Sequence, residues 1–203
     1  MEPTELENLK YLLDRQEILD CVYRYARGMD RWDRELARSA YHSDAIDDHG
    51  QFVGGVEEFL DWAFAVHAEA HASHQHAIVN HTCEIDGTTA HAESYYHFVS
   101  LNKQGPPWSM VAGRYIDRFE KRDGRWAIVA RVVVRDWMAT DERIGRENLT
   151  GLVVGKDFDP TESSFTSSAR PPMRDRNDPS YDRPLRITDA RLSQSQAARL
   201  NGS

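Results

Sequence analysis

The sequence predicts an α+β domain over residues 1–140 followed by a polar extension over residues 141–203, and three observations carry that reading. Three segments of helical periodicity fall within the first 70 residues. Four long stretches rich in β-branched and aromatic residues follow, two of their three joints being Asp-Gly pairs. Beyond about residue 141, Arg, Asp, Ser and Pro dominate, a composition that cannot build a core alone. Three helices ahead of an antiparallel meander give helices packed on one face of a curved, mainly antiparallel sheet.

The first helix spans about Thr4 to Met29. Thr4 with Glu7 makes a capping box, and Leu9, Leu13, Cys21, Val22, Tyr25 and Met29 fall largely at helical spacing. A break near Asp14–Gln16 is possible, and Gly28 marks the expected helix end. Trp32–Tyr41 reads as a short second helix. His42–Gly55 is polar and turn-rich, with room for short strands at 45–48 and 51–53. A third helix runs from Gly55 to about Ala70, with Val56, Phe59, Leu60, Ala63 and Phe64 as its buried stripe. The strands are Gln75–Ile85, Thr89–Leu101, Ser109–Lys121 and Arg125–Trp137, with hairpin turns at Asp86-Gly87 and Asp123-Gly124. In the extension, Pro171-Pro172, Pro179 and Pro184 break structure, and Leu149–Val154 is locally apolar. A polar tail of this kind is expected to lie against its own domain or a neighbouring subunit.

A net charge of −8 argues against a nucleic-acid partner, because an acidic surface repels phosphate. The two cysteines, Cys21 and Cys83, make neither a disulfide framework nor a zinc site. The N-terminal segment has no apolar core of a signal peptide, and no stretch approaches the roughly 20 apolar residues that cross a bilayer. The expectation is a cytoplasmic protein with neither a nucleic-acid nor a membrane partner.

Several residues could carry chemistry. Asp30 follows Met29 at the end of the first helix, just past the face of Tyr25; it either caps the next helix or shares a pocket with that phenol. His67, His71, His74, His76, His81, His91 and His97 crowd one stretch. Strict alternation puts His74 and His76 on one face with Ile78 and Asn80. A histidine beside a carboxylate in a closed pocket is a natural general base, whereas most histidines are surface residues. The spacings His67/His71 and His74/His76 can ligate zinc, but no Glu stands in an H-E-x-x-H frame and no Cys is near, so the expectation is no metal and no cofactor. Asp47, Asp48 and His49 read as loop. Arg131 interrupts an apolar strand and needs a carboxylate or a ligand, at a subunit contact or in the pocket. Tyr95, Tyr96, Phe98 and Trp108 suggest an aromatic-lined cavity.

Taken in order, Gln16-Glu17-Ile18, Tyr25, Met29-Asp30-Arg31, Trp32-Asp33, the Tyr41–Ala45 segment, His76 with Asn80, Gly113-Arg114-Tyr115 and Arg122-Asp123-Gly124-Arg125-Trp126 resemble a SnoaL-like domain of the NTF2-like superfamily, over roughly residues 8–138. The resemblance implies a cone-shaped fold. Within the superfamily the chain looks like the scytalone dehydratase-like, bile-acid 7α-dehydratase-like and lindane dehydrochlorinase-like lyases. That likeness implies a His76–Asp30 dyad, with Tyr25 as hydrogen-bond donor. His76 takes a proton from carbon and a leaving group departs, without a cofactor. Arg131, Tyr96, Phe98, Trp108 and Asn80 are the expected substrate contacts, and a small apolar molecule, aromatic or polycyclic, is the expected substrate. An isomerase or polyketide cyclase using the same base, or a binding protein without chemistry, are the alternatives on the same fold. The resemblance also implies a homo-oligomer, with a trimer favoured.

Overall fold

The computed structural model describes residues 4–140 and 179–201. Helix α1 (Glu5–Arg31) is unbroken. Its capping box is complete: the Thr4 hydroxyl accepts from the Glu7 amide while the Glu7 carboxylate accepts from the Thr4 amide. The possible break near Asp14 is absent because that residue is tied to the sheet. Its carboxylate accepts hydrogen bonds from Lys121 Nζ at 2.6 Å and from Trp126 Nε1 at 2.9 Å. Only the second half of the helix joins the core. Ile18, Cys21, Val22, Tyr25 and Met29 are buried, whereas Leu9 and Leu13, expected on the buried stripe, are more than half exposed.

Gly28 does not end the helix. A Cβ at that position would lie 2.4 Å from the backbone nitrogen of Ala37, so the missing side chain lets α2 (Arg34–Arg38) cross against α1. The helix closes four residues later, at Trp32, in the left-handed conformation with φ 58°. Asp33, not Asp30, caps α2, its carboxylate accepting from the Leu36 amide at 2.9 Å. Asp30 is thereby left free for another partner. Helix α3 (Val56–Ala70) buries Val56, Phe59, Leu60 and Ala63, as its periodicity predicts.

Among the described residues the sheet has six strands: β1 (Tyr41–Asp48), β2 (Val53–Gly55), β3 (His71–Asp86), β4 (Thr89–Asn102), β5 (Trp108–Arg122) and β6 (Arg125–Thr140), in the order β2-β1-β6-β5-β4-β3. The β3–β6 meander matches the sequence expectation. Asp123 and Gly124 take positive φ at their turn, as does Gly87. The pairing of β1 with β6 is parallel, and it extends the meander to a six-stranded sheet. The inner face of the sheet packs on the helices around Tyr25, Tyr41, Phe59, Tyr115 and Trp126.

One irregularity changes a sequence inference. The β3–β4 register shifts between Ile78 and His81. The extra residue breaks the alternation that placed Asn80 with His74 and His76. Asn80 is exposed, and the inward series resumes at His81 and Cys83.

The described part of the extension packs on its own domain. A short 3-10 turn at Pro179–Tyr181 leads to α4 (Asp189–Asn201). Leu185 is fully buried against Ile116, Ala130, Val132 and Val134 on the second face of the sheet. Arg191 donates to both carboxylate oxygens of Asp48 at 2.9 and 3.0 Å, and the Val53 amide donates to Ser195 Oγ at 2.9 Å. The apolar stretch Leu149–Val154 and the Pro171-Pro172 pair lie outside the described residues.

Candidate active site

Between α3 and strands β4–β6 lies a cavity of about 460 Å³, with largely apolar walls. Trp62, Val66, Tyr96, Phe98, Val111 and Val133 supply much of its apolar lining. The polar groups converge from a few positions, as in small-molecule sites generally.

The first group is the pair expected from the sequence. The last turn of α1 brings Asp30 to the free edge of β3. There the His76 backbone N–H donates to both carboxylate oxygens, at 2.9 and 3.1 Å, and His76 Nδ1 donates to Asp30 Oδ1 at 2.7 Å. Because Nδ1 carries the proton given to the carboxylate, Nε2 is the basic nitrogen of the ring. His76 lines the cavity, and Phe98 lies 4.8 Å from its ring. The neighbouring His74 is oriented differently: its Nε2 donates to Met29 O at 3.1 Å and sits 3.9 Å from Asp30 Oδ1.

Tyr25 stands behind the pair rather than in the cavity wall. Its ring is buried, 6.2 Å from that of His76 and 6.4 Å from that of His49. Burial drives its pKa above that of a free phenol, against the pull of Arg131, so it keeps its proton. Tyr96 and Phe98 do line the cavity, and burial raises the Tyr96 phenol to about 12.

Three expected substrate contacts are corrected. Asn80 is turned out by the register shift. Trp108, half-buried at the start of β5, is not in the cavity wall. Arg131 is fully enclosed, so it reaches neither the cavity nor a subunit surface. Its Nε and Nη2 donate to the two oxygens of Asp117, each at 2.7 Å, and Nη1 donates to Tyr41 Oη at 3.2 Å. The guanidinium also stacks 4.5 Å from the Tyr25 ring centre and 4.2 Å from that of Tyr115. Burial opposes its charge, but Asp117 outweighs that cost and holds the pKa well above the usual value. Burial also pushes Asp117 upward, yet the two short parallel bonds are those of an ionised carboxylate on a guanidinium.

Two further groups were not singled out from the sequence. His49 lines the cavity, and its Nδ1 donates to Asp47 Oδ1 at 2.8 Å. Asp47 is fully buried, and its other oxygen accepts from Tyr41 Oη at 2.8 Å. A second histidine–carboxylate pair therefore faces the same cavity, backed by the Tyr41–Arg131–Asp117 network. The two-residue spacing of Asp47 and His49 at the end of a strand was the available signal. Arg135 also lines the cavity, two residues after Val133 on the same face of β6. Burial lowers its pKa.

Three histidines gather at one end of the cavity. His67, His71 and His74 each offer a ring nitrogen within 4.8 Å of the others. Burial and the neighbouring imidazoles lower His67 to about 2 and, with Lys103 also contributing, His71 to about 4, so both rings are neutral at ordinary pH.

The SnoaL-like domain family matches residues 10–132, more than half of the chain, and the protein belongs to that family. Among solved structures, it is similar to a type-3 LinA hexachlorocyclohexane dehydrochlorinase from Novosphingobium barchaimii LL02, with 20% identity over 68% of this chain and 96% of that one and a TM-score of 0.63. A protein of unknown function from Mycobacterium tuberculosis aligns at 21% identity over 63% of this chain and 74% of that one, with a TM-score of 0.56. A Kribbella flavida protein, Kfla4162, aligns at 18% identity over 64% and 95%, with a TM-score of 0.59. These likenesses show the NTF2-like fold. No match to a curated protein sequence was found. Among the described residues, no helix is long and apolar enough to cross a membrane.

Proposed function

We propose that the protein is a lyase that eliminates water or hydrogen halide from a small, largely apolar substrate, the proton step being carried by side chains alone. The observation that supports this reading is the Asp30–His76 contact beside an aromatic-walled cavity. His76 Nε2 takes a proton from carbon, the C–H electron pair becomes a C=C bond, and the bond to the leaving group breaks. Asp30 fixes the ring and offsets the imidazolium charge that forms. A halide leaves as the anion. A departing hydroxyl needs a proton, and His49, held by Asp47 in the wall of the same cavity, is the group suited to give it. Tyr25 serves by packing behind the dyad. A dehydrochlorinase among the structural relatives agrees with this chemistry. An isomerase or cyclase would use the same base but return the proton to carbon.

The test presents chlorinated cyclohexanes and β-hydroxy ketones to the protein and follows product mass. A product lighter by HCl or water is expected, with His76→Ala and Asp30→Asn each slowing turnover by about 10²–10⁴-fold. A product of unchanged mass supports the isomerase reading instead. Full turnover in both variants rejects the dyad.

The exposed Tyr95 and Trp137 lie on strands β4 and β6 of the sheet. They support the further proposal of a homo-oligomer, a trimer in the first instance, formed through this surface. Sedimentation showing a monomer at micromolar concentration rejects it.

A further inference from the structure

We propose that His67, His71 and His74 form a binding site for a divalent transition-metal ion of the zinc class, distinct from the dyad and open to the cavity. The sequence argument against a metal was the lack of a glutamate or cysteine completing either histidine pair. The fold completes one with a third histidine from another element. His67 and His71 stand one turn apart in α3 and at its C-cap, and His74 comes from β3.

The geometry is that of converging donors. His67 Nδ1 and His71 Nδ1 are 2.9 Å apart. The His74 ring stacks on His67 at 4.3 Å. His74 donates Nε2–H to the Met29 carbonyl, which leaves its Nδ1 as the nitrogen with a lone pair. A backbone carbonyl holding the far N–H of a ligand imidazole is the usual outer partner in histidine metal sites. His76 is excluded from the set because its Nδ1 is engaged by Asp30 and its ring lies 6.2 Å from that of His67.

The donor chemistry also suits a metal. An imidazole binds a metal through the lone pair of its neutral form, and burial of His67, His71 and His74 disfavours the charged one. Within the His67–His71 pair one Nδ1 donates to the other; on metal binding that proton moves to Nε2 of the same ring, and no net proton is lost. Three neutral imidazoles select the borderline ions Zn²⁺, Co²⁺, Ni²⁺ and Cu²⁺ over Mg²⁺ or Ca²⁺, which need oxygen ligands. The charges around the site are mixed. Asp30 lies 3.9 Å from His74, and Glu69 shares the cavity wall, both favouring a cation. Lys103 beside His71 and Arg31 beside His74 oppose it. Three protein ligands leave a coordination position vacant, as in open rather than structural sites. Since His67 and His71 line the cavity, that position faces its interior.

The test uses the full-length, tag-free chain, stripped with a chelator and titrated with Co²⁺, then with Zn²⁺ in competition. The expected result is about one Co²⁺ per chain with the strong visible absorption of a low-coordinate ion, displaced by Zn²⁺. His67→Ala and His71→Ala are each expected to weaken binding by at least about tenfold, while His81→Ala leaves it unchanged. In case an alanine variant fails to fold, paramagnetic Co²⁺ is added to the unaltered protein and its imidazole NMR signals are followed. Those of His67, His71 and His74 should shift or broaden before those of His91 and His97. Uniform broadening, or affinity unchanged in folded variants, overturns the proposal. Turnover by the stripped protein depends on the dyad alone, so failure here leaves the elimination reading standing, and the reverse also holds.

Discussion

The Arg131–Asp117 pair lies within the sheet and the Asp30–His76 pair at its edge, and they differ in what surrounds them. The first is closed on every side: both side chains are fully buried, and Tyr41 and the faces of Tyr25 and Tyr115 complete its shell. Nothing outside the protein can reach it. The second joins a helix end to a strand edge, and one of its members forms part of a cavity wall. A sealed pair can only hold the fold or tune a neighbour; a pair with one member in a cavity wall can exchange a proton with a guest. As sequence, Arg131 fits either a pocket or a subunit contact and Asp30 either a pocket or a helix cap, and access separates the two pairs.

The largest effect that would sharpen this contrast is on stability. Asp117→Ala strands a buried guanidinium and should cost about 3–5 kcal/mol in urea unfolding, whereas the double change Arg131→Met with Asp117→Leu removes both charges and should recover most of that. Asp30→Asn should cost about 1 kcal/mol, its main effect being on turnover. If Asp117→Ala is as mild as Asp30→Asn, the distinction between sealed and open pairs fails.

A smaller effect should appear with pH. His81 Nδ1 hydrogen-bonds Ser94 Oγ at 2.8 Å, and burial lowers its pKa to about 4. The folded state therefore resists a proton that the unfolded chain accepts near pH 6.5. The resulting stability is fully present above that pH and is lost as pH falls from about 6.5 towards about 4; the gap sets a ceiling of roughly 3 kcal/mol, which solvent screening of the part-exposed ring reduces to roughly 1–2 kcal/mol. Replacing His81 with Asn should flatten the unfolding profile in that window. An unchanged slope would show that this histidine titrates normally.

Much of the fold was legible because local signals agreed. Thr4 with Glu7 set the start of α1, and the Asp-Gly pairs set two hairpins. Leu9 and Leu13 misled because periodicity cannot say where a long helix leaves the core. Gly28 misled because a glycine needed for close approach to Ala37 resembles a helix terminator. The parallel partnership of β1 with β6 joins residues about 85 positions apart, and nothing local marks it. In the site, the pairing of Asp30 with His76 is implied by the family resemblance; spacing alone leaves Asp30 either a helix cap or a pocket neighbour of Tyr25. His49 was passed over as loop because its partner is only two residues away and its burial depends on α3. Asn80 was misplaced by a single extra residue in β3.

The position of Asp30 has a consequence beyond orienting an imidazole. Strand β3 is the outermost of six, and its far edge presents backbone donors able to recruit a strand from another chain. By accepting the amide of residue 76, Asp30 blunts that edge where α1 meets it. Protection of the strand edge is thus tied to the same carboxylate that holds the His76 ring.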